Sequence, residues 1–187
     1  ADQKQHLEIT RDIAQRFNSI YGDVFVIPEA YIPKVAARIM NLQEPTKKMS
    51  KSDENENAFI SMLDTSDVIM RKFRRAVTDS EAQVRYDEEN KPGISNLMNI
   101  YAAVTGKSYE EIEQEFDGKG YGDFKKAVGE AVVETLNPIQ ERYNDLMKNK
   151  DYLQEMMNKG AERAARIANR TLGKVYRKVG LVSPVRG

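Results

Sequence analysis

Cysteine is absent from all 187 residues, which removes disulfides, thiolate zinc sites and cysteine nucleophiles together and is compatible with a reducing cytoplasm. There is one histidine, so a metal centre built from several imidazoles is excluded as well. An excess of charge of either sign is also missing. The 29 Lys+Arg balance the 29 Asp+Glu, no global field draws the chain to nucleic acid, and any RNA site must be a local patch. No apolar run approaches the roughly 20 residues of a membrane helix. A chain without a signal sequence is expected, a soluble cytoplasmic protein without a membrane partner. No repeat of about 20–50 residues recurs, which argues against a solenoid. What remains is 40% hydrophobic and 31% charged, a composition that folds rather than stays disordered and supports one good core or two small ones.

The stretch around which the chain is organised is Pro45-Thr46-Lys47-Lys48-Met49-Ser50-Lys51-Ser52-Asp53. Three lysines and two serines fall within six residues, after a helix-breaking proline and before Asp53-Glu54-Asn55-Glu56-Asn57, so an exposed loop is predicted. Lysine ammonium groups suit phosphate oxygens, and serine hydroxyls and loop N–H groups add directional bonds to the same oxygens. The chemistry is that of nucleotide phosphates. A solvated basic turn is the plain alternative, but a chance match to the five residues 48–52 is on the order of one in ten thousand at ordinary residue usage.

In its order, Lys48-Met49-Ser50-Lys51-Ser52 resembles the KMSKS signature of class I aminoacyl-tRNA synthetases. Further strings resemble the bacterial tryptophanyl-tRNA synthetases: Asp2-Gln3-Lys4-Gln5-His6, Ile32-Pro33-Lys34-Val35 leading to Arg38-Ile39-Met40, Ala76-Val77-Thr78-Asp79-Ser80-Glu81, and Lys91-Pro92-Gly93-Ile94-Ser95-Asn96-Leu97. The resemblance runs essentially from end to end. It implies ATP with Mg2+ as substrate, no tightly bound cofactor and no protein-held metal. Lys48 and Lys51 would stabilise charge growing on the pyrophosphate leaving group, with Ser50 and Ser52 supporting the loop. The backbones of Ile39 and Met49 would meet the adenine ring. Asp2 is implied to contact the ATP ribose or the amino acid, and Gln3 the amino acid's polar groups; the residues alone favour a capping box of Asp2 with Gln5, with which those roles are compatible. His6 is read as structural.

The implied fold class is mainly α. Residues 1–64 would be the C-terminal end of a Rossmann-type α/β nucleotide-binding domain, with the loop at 45–57, and 65–187 an all-α helical anticodon-binding domain. Implied partners are tRNA(Trp), tryptophan, ATP and a second copy of the chain in a homodimer. The chain opens without methionine, and the resemblance places Ala1 inside the catalytic domain, so a fragment without the HIGH-like motif is expected, inactive alone. Tyrosyl-tRNA synthetase and a non-catalytic helical tRNA-binding module stand as alternatives.

Periodicity predicts helices over 2–18, 66–76, 93–105, 108–116, 123–149 and 151–178. A kink or break is expected near Leu136-Asn137 because of Pro138. Val24-Phe25-Val26-Ile27 reads as a buried strand or near-strand, Ile39-Met40-Asn41-Leu42 as a second extended piece, and Lys72 as largely outward with Arg71, Arg74 and Arg75. Lys34 and Arg38 form a basic pair one turn apart if their segment coils. On the last helix Arg163, Arg166, Arg170, Lys174 and Arg177 form one basic stripe opposite an apolar one. The stripe fits phosphate-backbone contacts, and fits equally a salt-bridged face with the acidic helix at 110–117 or a partner subunit as counter-charge.

Overall fold

A computed structural model describes residues 2–31 and 38–182. The Ile32-Pro33-Lys34-Val35 string, the Lys34–Arg38 pairing and the side-chain roles of Asp2 lie outside the described residues. Among the described residues six α-helices occur in order: α1 Asp2–Tyr21, α2 Ser66–Arg75, α3 Pro92–Thr105, α4 Tyr109–Glu115, α5 Tyr121–Lys148 and α6 Lys150–Val179. A short 3-10 helix, Glu56–Ala58, precedes α2. Extended pairing among the described residues is limited to one antiparallel bridge, Met40 with Lys48. The chain is mainly α, and its compact units are Ala1–Ile32 with Leu146–Gly187, and Pro33–Asp145. No helix among the described residues is long and apolar enough to cross a membrane.

In the first unit α1 ends at Gly22, whose φ of 84° suits a residue without Cβ. The side chain of Asn18 then fixes the chain beyond the helix end. Its Oδ1 accepts the N–H groups of Val24 and Phe25 at 3.1 and 3.0 Å, and its Nδ2 donates to Phe25 O at 2.8 Å. Residues 24–27 therefore form no strand, contrary to the reading of their apolar run, and Val26 is 92% exposed. A strand needs a neighbour's ladder; here a local carboxamide takes the N–H groups first. Phe17 and Phe25 pack edge to face at 5.0 Å. The predicted apolar side of α6 is also not buried: no residue of α6 is, and Leu172 stands 42% exposed. Heptad-like spacing selects a face, not what covers it.

The second unit is built around α3. Ile94, Leu97 and Met98 have essentially no exposed surface, and Ser95, Asn96, Ile100 and Ala102 on its other sides are buried too, as expected of a helix enclosed by its neighbours. Pro92 opens α3 and Gly106, at φ 75°, closes it, the usual placement of the two residues. Ser108 and Glu111 make the capping box of α4. Tyr101, Phe116 and Phe124 meet edge to face, joining α3, the end of α4 and α5. Helix α5 passes through Pro138 without interruption, so the expected break does not occur. One lost N–H bond is spread over a 28-residue helix whose inward side, including Leu136 just before the proline, is already buried.

Two lysines are internal. Lys72 is only 4% exposed and its Nζ bonds Asp64 Oδ2 at 2.6 Å and Phe59 O at 2.9 Å, so its outward placement from periodicity is corrected: a carboxylate two turns back satisfies the charge inside. Lys91, fully shielded, bonds Asp79 Oδ1 at 2.9 Å and Glu81 Oε2 at 2.7 Å, and Tyr121 OH donates to the same Asp79 oxygen at 2.5 Å. Burial disfavours the ammonium, but the bonds to Glu81, Tyr121 and Asp79 outweigh it and Lys91 is held above its ordinary value.

Asp87 closes the turn before α3. It accepts from the Asn90 N–H at 3.0 Å, the Asn90 amide at 3.0 Å and Arg85 at 2.9 Å, and these bonds, the Asn90 N–H first, hold its carboxyl down at about 2. A depressed carboxylate contributes stability that is complete above its unfolded value near 3.8 and is lost as pH falls from there through about 2. In denaturation at pH 6, 4 and 2.5, the advantage of the natural chain over Asp87→Asn should shrink with falling pH. An advantage independent of pH would contradict this.

Candidate nucleotide-phosphate site

Residues 39–58 form a small scaffold that presents the Lys48–Ser52 loop. Asn41 N–H donates to Lys47 O at 2.8 Å and Met49 N–H to Ile39 O at 3.0 Å, flanking the Met40–Lys48 bridge. The extended reading of Ile39–Leu42 thus holds as one bridge. Leu42 is tied on both sides, donating to Ala58 O at 2.9 Å and accepting from Val77 N–H at 2.8 Å. The tip of the hairpin is closed by buried Asn41, whose Oδ1 accepts from the N–H groups of Gln43 and Glu44 at 2.8 and 2.9 Å, an Asx-type turn. Its Nδ2 reaches across to Asp53 Oδ2 at 2.9 Å, so a single carboxamide joins the start of the hairpin to the far end of the loop. On the opposite edge Asn96 of α3 bonds both backbone groups of Met40, each at 2.8 Å.

The side chains then sort by direction. Met49 and Ile39 are half-buried against the core. Lys47, Lys48, Ser50, Lys51 and Ser52 are exposed or nearly so. Lys47 is engaged, bonded to Glu44 Oε2 at 2.5 Å, and that hydrogen bond is the first reason its ammonium sits above the ordinary lysine value. The Lys48 and Lys51 ammonium groups have no hydrogen bond or ion pair among the described residues. The Ser50 side chain accepts from the Ser52 N–H at 3.2 Å and its carbonyl from Asp53 N–H at 3.2 Å, which curls the loop. The arrangement offers two uncommitted cations on a backbone whose register is held from both edges, a geometry suited to a polyanion. A cavity of about 330 Å3 opens beside it, lined by Arg38, Met40, Thr46, Asn96 and Asn99 among others.

The other candidate residues belong to the first unit. Gln3 is exposed on α1 in the first unit, and His6 is exposed with its carbonyl accepting from Thr10 at 2.8 Å. Arg163, Arg166, Arg170, Lys174 and Arg177 are exposed along the unbroken α6 and form no ion pair among the described residues. Three of the four carboxylates on α4 are used inside the second unit: Glu111 accepts from Ser108 N–H at 2.8 Å in the capping box, Glu113 from Tyr86 N–H at 2.7 Å and Glu115 from Lys107 at 2.7 Å. Among the described residues no group of three or more His, Asp or Glu side chains is placed to hold a metal ion.

Sequence reasoning missed the structural roles of Asn41, Asn96 and Lys91. The one local signal was present at Asn96: two adjacent polar residues, Ser95 and Asn96, interrupt an apolar run between Ile94 and Leu97, and buried polar groups there must be answering to something.

Comparison with known proteins gives the family. A family model described as tRNA synthetases class I (W and Y) matches residues 1–137. Curated tryptophan–tRNA ligases from Oceanobacillus iheyensis and Bacillus anthracis are 54% and 56% identical over 180 residues, 96% of this chain, and the match spans 55% and 54% of those relatives. The crystal structure of tryptophanyl-tRNA synthetase from Mycoplasma pneumoniae superposes with a TM-score of 0.85 at 34% identity, covering 97% of this chain and 55% of that one. The Campylobacter jejuni enzyme complexed with ADP and tryptophan superposes with a TM-score of 0.67 at 31% identity, covering 96% and 55%. The chain thus spans about half the length of the curated relatives it matches. With the family model covering most of its residues and the signature loop standing where two uncommitted lysines can meet phosphate, the chain belongs to the class I tRNA synthetases of the tryptophan and tyrosine group.

Proposed function

We propose that this chain supplies the ATP-handling loop and the helical C-terminal region of a tryptophan–tRNA ligase. The enzyme activates tryptophan with Mg2+-ATP to tryptophanyl-adenylate and pyrophosphate, then passes the acyl group to the terminal ribose of tRNA(Trp). The observation that carries the reading is the pair of exposed lysines, Lys48 and Lys51, uncommitted among the described residues and held on a loop braced at both ends. The substrate carboxylate is the nucleophile, so the protein's task is to orient the triphosphate and neutralise charge as it moves onto the leaving pyrophosphate. Ile39 and Met49 offer the adenine their backbones, and Ser50 and Ser52 shape the loop. The family resemblance assigns Asp2 to the ATP ribose or the amino acid and Gln3 to the amino acid's polar groups. Residues 1–64 complete the catalytic domain and 65–187 form the anticodon-binding domain; the active protein is a cytoplasmic homodimer. The names of the relatives and the ADP and tryptophan bound by the Campylobacter jejuni enzyme support this assignment.

The test is amino-acid-dependent ATP–pyrophosphate exchange on the chain alone and on the chain joined to the N-terminal half that its relatives carry, with tyrosine as control. Exchange with tryptophan only, in the joined protein only, is expected. A folded, joined protein without exchange would leave salt-dependent tRNA binding as the remaining activity.

The α6 stripe has its own expected result. Replacing Arg163, Arg166 and Arg170 with glutamine should weaken tRNA binding and flatten the dependence of log K on log salt by about 2–3, one unit per lost phosphate contact. An unchanged slope would remove the stripe from the RNA interface.

A further inference from the structure

The carboxamide of Asn96 occupies an unusual place. It sits one turn into the most enclosed helix of the second unit, 2% exposed, among Ile94, Leu97 and Met98. Both of its polar ends are spent on one distant residue: Oδ1 accepts from Met40 N–H and Nδ2 donates to Met40 O, each at 2.8 Å. In an extended chain a residue's own N–H and C=O point to one side and those of its neighbours to the other. Here the neighbours' groups, Ile39 O and Asn41 N–H, face Met49 and Lys47 of the hairpin's return strand, so the Met40 groups face away from the loop toward α3. Asn96 answers them as the peptide group of a third strand would. A helix thereby supplies the sheet edge that the hairpin lacks.

We propose that Asn96 is a positioning residue for the phosphate-binding loop: by closing both backbone hydrogen-bond sites of Met40 it sets the register of the Met40–Lys48 bridge and with it the stations of Lys48, Met49 and Lys51. The inference rests on the ATP-handling role given to that loop. An apolar side chain would fill the same space in α3 without an amide to satisfy, so the buried amide is explained by the partner it specifies. The link also has a firm base. The start of α3 is anchored by Lys91 to Asp79 and Glu81 and by the close approach of Gly93 to Val77, so the loop is referenced to the helical core and not merely to its own turn.

The experiment uses the joined, full-length protein with Asn96→Ala, Asn96→Ser and Asn96→Asp. ATP KM, kcat for pyrophosphate exchange, tryptophan Kd and the exchange rates of the Met40 and Met49 amides are measured for each. Asn96→Ala should lower kcat/KM for ATP between about tenfold and a hundredfold, the scale for misplacing a reacting group by a fraction of an ångström or more, with tryptophan Kd changed less than about twofold and both amides exchanging faster. Asn96→Asp gives a signature that generic loosening does not. Its ionised form repels Met40 O, whereas its protonated form again pairs one acceptor with one donor, so its ATP KM should recover toward the natural value as pH falls from 8 to 6, relative to the unsubstituted protein measured alongside. The proposal is overturned if Asn96→Ala leaves kcat/KM for ATP within twofold, or if tryptophan Kd rises as much as ATP KM does. Should Asn96→Ala fail to fold, Asn96→Ser, which retains one bonding group, is judged by the same criteria. If the unsubstituted protein shows no exchange at all, the ligase assignment has failed, and the amides alone decide: unaltered protection of Met40 in the variants overturns the positioning role, and lost protection supports it.

Discussion

Replacing Lys51 with alanine in the full-length protein should lower kcat for adenylate formation by about 10²–10³-fold, the usual loss when one preorganised charge is removed from a developing oxyanion. Tryptophan affinity and thermal midpoint should hardly move. Lys51 is exposed and its ammonium has no partner among the described residues, so its removal breaks no internal bond and leaves no buried group unpaired. Its contribution is then visible only when charge builds on the pyrophosphate. Lys47 is the internal comparison. It lies four residues away but is already bonded to Glu44, and Lys47→Ala should cost at most a few-fold in rate. Steady-state exchange kinetics with independent tryptophan titration separate the two. Equal losses of kcat and tryptophan affinity in Lys51→Ala would place the residue in ground-state binding instead.

Gly93→Ala should be the most damaging methyl group that can be added to the second unit. A Cβ at residue 93 would stand 2.3 Å from Val77 O and 3.1 Å from Val77 C, and both are backbone atoms. Val77 cannot retreat freely, because its N–H is held by Leu42 O at 2.8 Å in the same scaffold that presents the loop. Relief requires shifting α3 or the 77–79 segment, and overpacking against backbone costs about 3 kcal/mol or more. Gly129→Ala is the control. The atom it meets most closely is Met70 Sδ at 2.6 Å, the far end of a flexible side chain, and alanine in a helix interior regains up to about 1 kcal/mol over glycine. Chemical denaturation should show a near-neutral Gly129→Ala beside a severely destabilised Gly93→Ala. Similar midpoints for the two would mean that the Val77 approach is soft.

Much of the local structure was legible. The helices α2 to α6 lie within a few residues of their periodic patterns, and the Gly106 stop, the Ser108 cap and the basic row of α6 stand where the residues put them. These features depend on neighbours one to four places away, the range over which backbone preference acts. The errors share one cause. Val24–Ile27 has the composition of a strand but no ladder to join, Lys72 lies on the outward side of α2 by periodicity yet is drawn in by Asp64, and α5 carries Pro138 unbroken behind a side buried from Phe124 to Leu136.

The candidate phosphate site divides along the same line. Lys48, Met49, Ser50, Lys51 and Ser52 are contiguous, so the order of residues alone was enough to nominate the groups proposed to meet the nucleotide and to mark the family. Which of the three lysines are uncommitted, and what holds the loop in register, depend on the folded arrangement. Glu44 takes Lys47, Asn41 spans to Asp53, and Asn96 reaches Met40 across 56 positions of chain. Hydrogen-bond partners at that separation are chosen by how helices and loops pack, and packing is a property of the folded chain as a whole, carried by no short stretch of its residues.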